Sequence, residues 1–76
     1  MKARRVDKRV ARRLHGSGQT VYCIPCKYRV PNEWFALMRI LPECDFDSFV
    51  NEATYYLCSW ETGYYLAYYI KGEEEQ

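Results

Sequence analysis

Two stretches of the chain alternate between faces with the two-residue period of a β-strand, and a stretch with helical period lies between them. Residues 20–30 and residues 64–70 carry the alternation. The helical stretch follows Asp45, a residue type that favours the N-cap of a helix, and continues to about Cys58. The pattern therefore predicts strand, helix and strand in that order.

Two further elements complete the predicted order. Residues 3–15 place their apolar side chains on one narrow helical stripe, and Gly16 and Gly18 follow as helix-ending residues. Residues 34–41 follow turn-forming residues at 31–32 and predict a second strand that forms a hairpin with the first. The predicted order is α-β-β-α-β.

This order predicts an α+β fold in a single small domain spanning residues 1–76. Its three-stranded sheet is expected to be antiparallel, in the order 2-1-3, and to be covered by two helices; a mixed sheet is the alternative. Pro25 lacks the backbone N–H of a strand ladder, so a bulge is expected there. Residues 1–18 form the basic helix and its loop, and residues 71–76 form an acidic tail that is expected to fray.

Charge is sorted by position along this chain. Residues 1–31 hold nine Lys and Arg against one acid, Asp7, whereas residues 32–76 hold two against nine. Such asymmetry indicates an anionic partner for the basic half, or pairing of the two halves with each other. The candidate contacts to an anionic partner are Arg4, Arg5, Lys8, Arg9, Arg12, Arg13, Lys27 and Arg29.

The tyrosine-rich third strand predicts a second kind of contact. Alternation places Tyr65 and Tyr69 on the face opposite Tyr64 and Tyr68, so helices that cover one face leave one pair accessible. Protein contact, or self-association into a homodimer through an edge strand, is favoured over base stacking because the chain has no RNA-recognition motif. The candidate residues for protein contact are Tyr65, Tyr69, Asp47 and Glu52.

The spacing of Cys23 and Cys26 resembles that of zinc knuckles and thiol redox centres, but its context does not. Residues three apart in a straight strand point to opposite faces, so the two sulfurs should diverge. Structural thiols are therefore expected and no cofactor is predicted; zinc at these two cysteines is the alternative if Pro25 bulges. His15, the one histidine, is expected to cap the first helix or face solvent, and no enzymatic activity is predicted.

Targeting signals are not evident in the sequence. The basic start is not followed by an apolar signal segment, and no apolar run approaches the roughly 18 residues of a membrane span. The sequence therefore predicts a soluble, cytoplasmic protein without a membrane partner. Aromatic residues make up 17% of the chain, which predicts a folded domain rather than a disordered one.

Several local patterns resemble small uncharacterised proteins of phages and integrative elements in Gram-positive bacteria. The basic first helix leading into residues 20–22 is one of them. The others are residues 45–52, the pair Tyr55 and Tyr56, Cys58, residues 61–63, and the pair Tyr68 and Tyr69. The resemblance implies a mobile-element origin, and short proteins of that kind often resemble anti-CRISPR and other anti-defence inhibitors or accessory nucleic-acid binders.

Two functions follow as hypotheses. The first is a non-enzymatic accessory protein in the cytoplasm of a host bacterium that binds and inhibits a host protein or ribonucleoprotein, of the kind that CRISPR effectors represent. The alternative is a small DNA- or RNA-binding module whose basic first helix contacts phosphates without sequence preference. Salt-sensitive binding to bare nucleic acid discriminates the second from the first.

Overall fold

The chain folds into two helices and an antiparallel sheet. The computed structural model describes residues 3–27, 30–31, 37–59 and 62–71. Arg29 and the predicted tail beyond Lys71 lie outside these residues, as does most of the first half of the predicted second strand. The elements are β1 (Ala3–Val6), α1 (Lys8–Gly16), β2 (Val21–Lys27), β3 (Val30–Pro31), β4 (Met38–Ile40), α2 (Phe46–Cys58) and β5 (Tyr64–Lys71).

The sheet has the order β1-β5-β2, and β3 and β4 both pair with the remaining edge of β2. Every pairing is antiparallel. The predicted α+β class is confirmed, and so is the central strand with an antiparallel neighbour on each side. The predicted three-stranded sheet was too small, because β1 extends it beside β5 and β3 adds a short segment beside β2.

The first element corrects the prediction of a helix from residue 3. Ala3–Val6 is a strand whose four residues pair with β5, from Ala3 opposite Lys71 to Val6 opposite Tyr68. The helix begins only at Lys8, because the Oδ1 of Asp7 accepts a hydrogen bond from the backbone N–H of Val10 at 2.9 Å. Val6 fitted the helical stripe of the sequence, but sheet pairing outweighs local periodicity here.

The helix end is of the Schellman type. The N–H of Gly18 donates to the carbonyl of His15 at 3.0 Å, and the N–H of Gln19 donates to the carbonyl of Leu14 at 3.1 Å. Gly18 has a φ of 99°, a conformation that glycine adopts without a Cβ penalty. The predicted end of the helix near Gly16 and Gly18 is confirmed.

Pro25 needs no bulge. The register of β2 with β5 runs without interruption, with Pro25 opposite Leu66. On the other edge of β2, pairing to β4 stops at Cys23 and pairing to β3 resumes at Cys26. No described residue pairs with Pro25 on that edge, so a residue without a backbone N–H is tolerated there.

Both helices pack on one face of the sheet and form the main core there. Helix α2 begins after Asp45, as predicted, with the Ser48 N–H donating to Asp45 Oδ2 at 3.0 Å. We call the other side of the sheet the far face. The buried core on the helix side comprises Ala11, Val21, Cys23, Ile40, Phe46, Val50, Ala53, Cys58, Leu66, Tyr68 and Ile70.

Candidate functional site

Helix α1 exposes a cluster of four cations. Lys8, Arg9, Arg12 and Arg13 are all exposed, whereas Ala11 is fully buried. At about 100° per residue the four cations cover an arc of roughly 140° on the helix. A shallow groove of about 370 Å³ runs between Lys8, Arg9 and Arg12. The sequence prediction that one face of this helix packs and the rest is cationic is confirmed for α1 itself.

Among the described residues, Arg12 is the member of this cluster that has an acidic partner. Its guanidinium forms an ion pair with Asp47 of α2, and the two side chains are 57% and 59% exposed. The same guanidinium lies 5.9 Å from the ring centre of Phe46. An exposed pair of this kind contributes about 0–1 kcal/mol. Asp47, a predicted protein contact, therefore already forms an intramolecular ion pair.

Strand β1 continues the cationic cluster onto the edge of the sheet. Arg4 and Arg5 are both exposed. An open groove of about 630 Å³ is lined by Arg5 and Lys8 together with Asp7 and Tyr65, so the strand and the helix meet at this groove. Arg4 and Arg5 lie on opposite faces of β1. We call the six exposed cations of β1 and α1 the cationic surface: Arg4, Arg5, Lys8, Arg9, Arg12 and Arg13.

Arg5 also contacts the far face of the sheet. Its Nη2 lies 3.4 Å from the Tyr65 hydroxyl, and its guanidinium carbon lies 5.8 Å from the centre of that ring. The hydrogen bond to Tyr65 raises the pKa of Arg5, so this side chain is a permanent cation. Tyr65 is 36% exposed.

The strand register places two tyrosines between two arginines in one row across the sheet. Arg5 of β1 lies opposite Tyr69 of β5, Tyr69 lies opposite Tyr22 of β2, and Tyr22 lies opposite Arg39 of β4. Paired residues in a sheet share a face, so all four lie on the far face. We call them the Arg–Tyr row. The two arginines at its ends are exposed, and the two tyrosines between them are half-buried.

Beside this row the far face has a small apolar cluster. Ile24, Cys26 and Ala67 are buried there, and Leu37 and Tyr69 pack against them. Among the residues that the structure describes, no acid lies on the strands that form this face, since the described acids all fall in α2 or in the connecting segments. The face is therefore apolar at its centre and cationic at its rim.

Of the other predicted contacts, Lys27 lies apart from the row. Its Nζ lies 5.4 Å from the ring centre of Tyr64, which is its partner across the strands. Glu52 is exposed on α2. The structure brings Arg5 to Lys8 and Tyr65 in one groove and opposite Tyr69 in the sheet, and it brings Lys8 to Arg9 and Arg12 in the other groove. Lys27 and Glu52 line neither groove.

The cysteines of the Cys-x-x-Cys sequence lie on opposite faces of β2. Cys23 belongs to the core under the helices, and Cys26 belongs to the apolar cluster of the far face. Burial raises the pKa of the Cys23 thiol to about 12 and also raises the pKa of the Cys26 thiol. In the described part of the chain, no group of three or more potential ligands could hold a metal ion.

His15 is buried, which corrects the predicted capping or solvent role. Its Nε2 lies 2.8 Å from the carbonyl oxygen of Leu41, and its ring centre lies 5.6 Å from that of Phe46. These contacts tie α1 to the segment that precedes α2. The imidazole thus has a structural task.

The sequence did not predict a contact role for four residues that the structure places either in the Arg–Tyr row or in an exposed aromatic pair. Tyr22 and Arg39 enter the Arg–Tyr row only through the register, which the sequence does not display. Tyr55 and Tyr56 are 67% and 71% exposed on α2 and contact each other edge to face at 4.9 Å between ring centres. Their signal was present, because neither falls on the apolar helical stripe of residues 46, 50, 53 and 57.

Comparisons with known proteins give no relative from which a role could be transferred. No protein-family model, curated protein or solved structure matches this chain. None of the helices in the described ranges is long and apolar enough to cross a bilayer.

Proposed function

We propose that this protein is a non-enzymatic nucleic-acid-binding module that contacts phosphates through the cationic surface. The observation that carries the proposal is the meeting of two basic elements: Arg5 of β1 and Lys8 of α1 line one open groove, and Lys8 also lines a second groove with Arg9 and Arg12. Phosphate contacts from Lys and Arg provide most of the sequence-independent affinity of proteins for nucleic acid.

The balance of charge around this surface supports the proposal. Asp7 is used as the N-cap of α1, and Asp47 pairs with Arg12. Among the described residues, no ion pair to Lys8, Arg9 or Arg13 is found. Like charges at neighbouring helical positions repel each other by a few tenths of a kcal/mol, and a bound polyanion relieves this repulsion.

A salt titration tests the proposal. Binding of labelled single-stranded and duplex oligonucleotides is measured by fluorescence anisotropy at several salt concentrations. Each neutralised phosphate contributes about −0.9 to the slope of log affinity against log salt on duplex DNA, and about −0.7 on a single strand. We expect a double variant, Lys8→Gln with Arg9→Gln, to lose affinity and to flatten the slope by about 1–2.

A control variant with the same change in net charge distinguishes the loss of local phosphate contacts from the effect of total charge. The double variant Asn51→Asp with Thr62→Asp lowers the net charge by the same amount at exposed positions outside the cationic surface. It should retain most of the affinity and the salt slope. Absence of binding to every oligonucleotide at physiological salt, or equal losses in both double variants, would contradict the proposal.

The second candidate is inhibition of a host nucleoprotein, and one observation favours it. Tyr55 and Tyr56 form an exposed aromatic pair on α2, near the exposed Glu52. Exposed aromatic side chains are frequent anchors of protein interfaces, and an acidic neighbour suits the basic nucleic-acid groove of such a complex.

An inhibition assay with purified CRISPR effector complexes distinguishes this candidate. If it is right, the double variant Tyr55→Ser with Tyr56→Ser loses inhibition, whereas Lys8→Gln with Arg9→Gln retains it. The reverse pattern would assign any inhibition to competition for nucleic acid by the cationic surface.

A further inference from the structure

The Arg–Tyr row offers more than added positive charge. A phosphate-binding surface alone needs no aromatic residues, but the row places two tyrosines from adjacent strands between two arginines. Side chains directly opposite each other on neighbouring strands are about 4.5–5.5 Å apart at Cβ. Tyr69 and Tyr22 are therefore neighbours on adjacent strands, at the middle of the row.

A purely structural role explains only part of this arrangement. A cross-strand tyrosine pair stabilises a sheet by about 0.2–1 kcal/mol, and Tyr69 also packs against the apolar cluster of the far face. Neither contact calls for an exposed arginine at each end of the row. Among the described residues, no acid forms an ion pair with Arg39 or Arg5, so both are positioned for an anion that comes from outside.

The geometry matches the needs of unpaired nucleotides. Bases of a single strand stack on aromatic side chains of sheets, and arginine contacts the adjoining phosphates or stacks on a base. The Tyr65 hydroxyl lies 3.4 Å from Arg5 Nη2, so Tyr65 adds a third aromatic ring beside the Arg5 end of the row. In a duplex the bases are stacked on one another, so their flat surfaces are not available to stack on these tyrosines.

We infer that the far face is a binding site for single-stranded nucleic acid. This inference rests on the nucleic-acid-binding function proposed above. Tyr22 and Tyr69 stack two unpaired bases, and Arg5 and Arg39 contact the flanking phosphates. Because Arg5 belongs to both surfaces, a single strand passes from the far face over β1 to α1. The preferred ligand is therefore a single strand rather than a duplex.

Four labelled ligands of equal length test this inference on the full chain. They are oligo(dT) and oligo(U) of about 12 nucleotides, a duplex, and an abasic strand that keeps every phosphate but has no bases. We expect both base-containing single strands to bind about tenfold or more tightly than the abasic strand, and more tightly than the duplex. A difference between oligo(dT) and oligo(U) assigns the preference to DNA or RNA.

Matched tyrosine variants locate the stacking. Tyr69→Leu and Tyr22→Leu should each weaken binding of oligo(dT) roughly tenfold and leave binding of the abasic strand unchanged. Tyr56→Leu makes the same substitution at an exposed tyrosine on α2 and should change neither. Arg39→Gln should weaken both ligands and reduce the salt slope by about 0.7.

A measurement on the unaltered chain guards against variants that fold poorly. Photo-crosslinking to an oligonucleotide that carries 5-bromouracil, followed by mass spectrometry, should map to Tyr22, Tyr69 or Tyr65. Crosslinks confined to α1, or equal binding of oligo(dT) and the abasic strand, would overturn the inference while leaving the nucleic-acid-binding function in place. Failure of all four ligands to bind would overturn both.

Discussion

The two faces of the sheet use the same residue types for different ends. Tyr68 and Tyr69 are neighbours on β5, but Tyr68 is only 6% exposed and its ring centre lies 6.0 Å from that of Phe46, under the helices. Tyr69 is half-buried on the far face, between Arg5 and Tyr22. We therefore expect the helix-covered face to provide most of the stability, whereas the far face keeps aromatic surface that is still accessible to solvent after folding.

Truncation of the two neighbouring tyrosines should give the largest contrast. Tyr68→Ala removes a buried aromatic ring, which costs about 3–5 kcal/mol in comparable cores. A domain of this size has a net stability of about 3–5 kcal/mol, so we expect this variant to be largely unfolded. Tyr69→Ala should cost about 1 kcal/mol and leave the domain folded.

Urea unfolding followed by circular dichroism measures both variants. Equal losses of unfolding free energy would break the comparison, because they would show that the far face contributes to stability as much as the helix-covered face. A folded Tyr68→Ala variant would have the same consequence.

Alkaline pH should act mainly through the helix-covered face. Burial raises the pKa of Tyr68 to about 12 from an ordinary value of about 10, and that of Cys23 to about 12 from about 9. Below about pH 8 these groups are almost entirely neutral in both states, and their contribution to stability is complete. As the pH rises towards 12 the unfolded chain ionises first, so the free energy of unfolding falls.

A phenylalanine variant isolates the contribution of Tyr68 in this experiment. A pKa raised by two units corresponds to at most about 2.7 kcal/mol for one group. Tyr68→Phe should therefore lose part of the decline between pH 10 and 12 that the unaltered chain shows. Unfolding free energies measured in urea at pH 8, 10 and 11 check this. An identical decline in the variant and the unaltered chain would contradict the assignment.

The same contrast explains what the sequence could and could not reveal. Alternation separated Tyr68 from Tyr69 and Cys23 from Cys26, because a strand sends neighbours to opposite faces whatever its partners are. Asp45 marked the start of α2 because an N-cap acts locally. These parts of the fold depend on short-range rules.

The N-terminal strand and the Arg–Tyr row depend on long-range pairing. Arg5 meets Tyr69 only because β1 aligns with a strand more than 60 residues away, and local periodicity carries no record of that register. Asp7 could have indicated where the helix begins, because an N-cap residue separates a helix from the residues that precede it. The six cations were predictable as a group, but their division between a strand and a helix was not.

The smallest expected effect concerns the contact between Arg5 and Tyr65. Tyr65→Phe removes the hydroxyl that Arg5 Nη2 contacts at 3.4 Å, and it keeps the ring beneath the guanidinium. Because this hydrogen bond is long and exposed, its loss should lower the free energy of unfolding by less than about 0.5 kcal/mol. Urea unfolding of this variant beside Tyr55→Phe, at an exposed tyrosine of α2, provides the measurement and the control. A loss above 1 kcal/mol for Tyr65→Phe alone would mean that the far face is built for stability, and Arg5 would then be a structural residue rather than a free contact for phosphate.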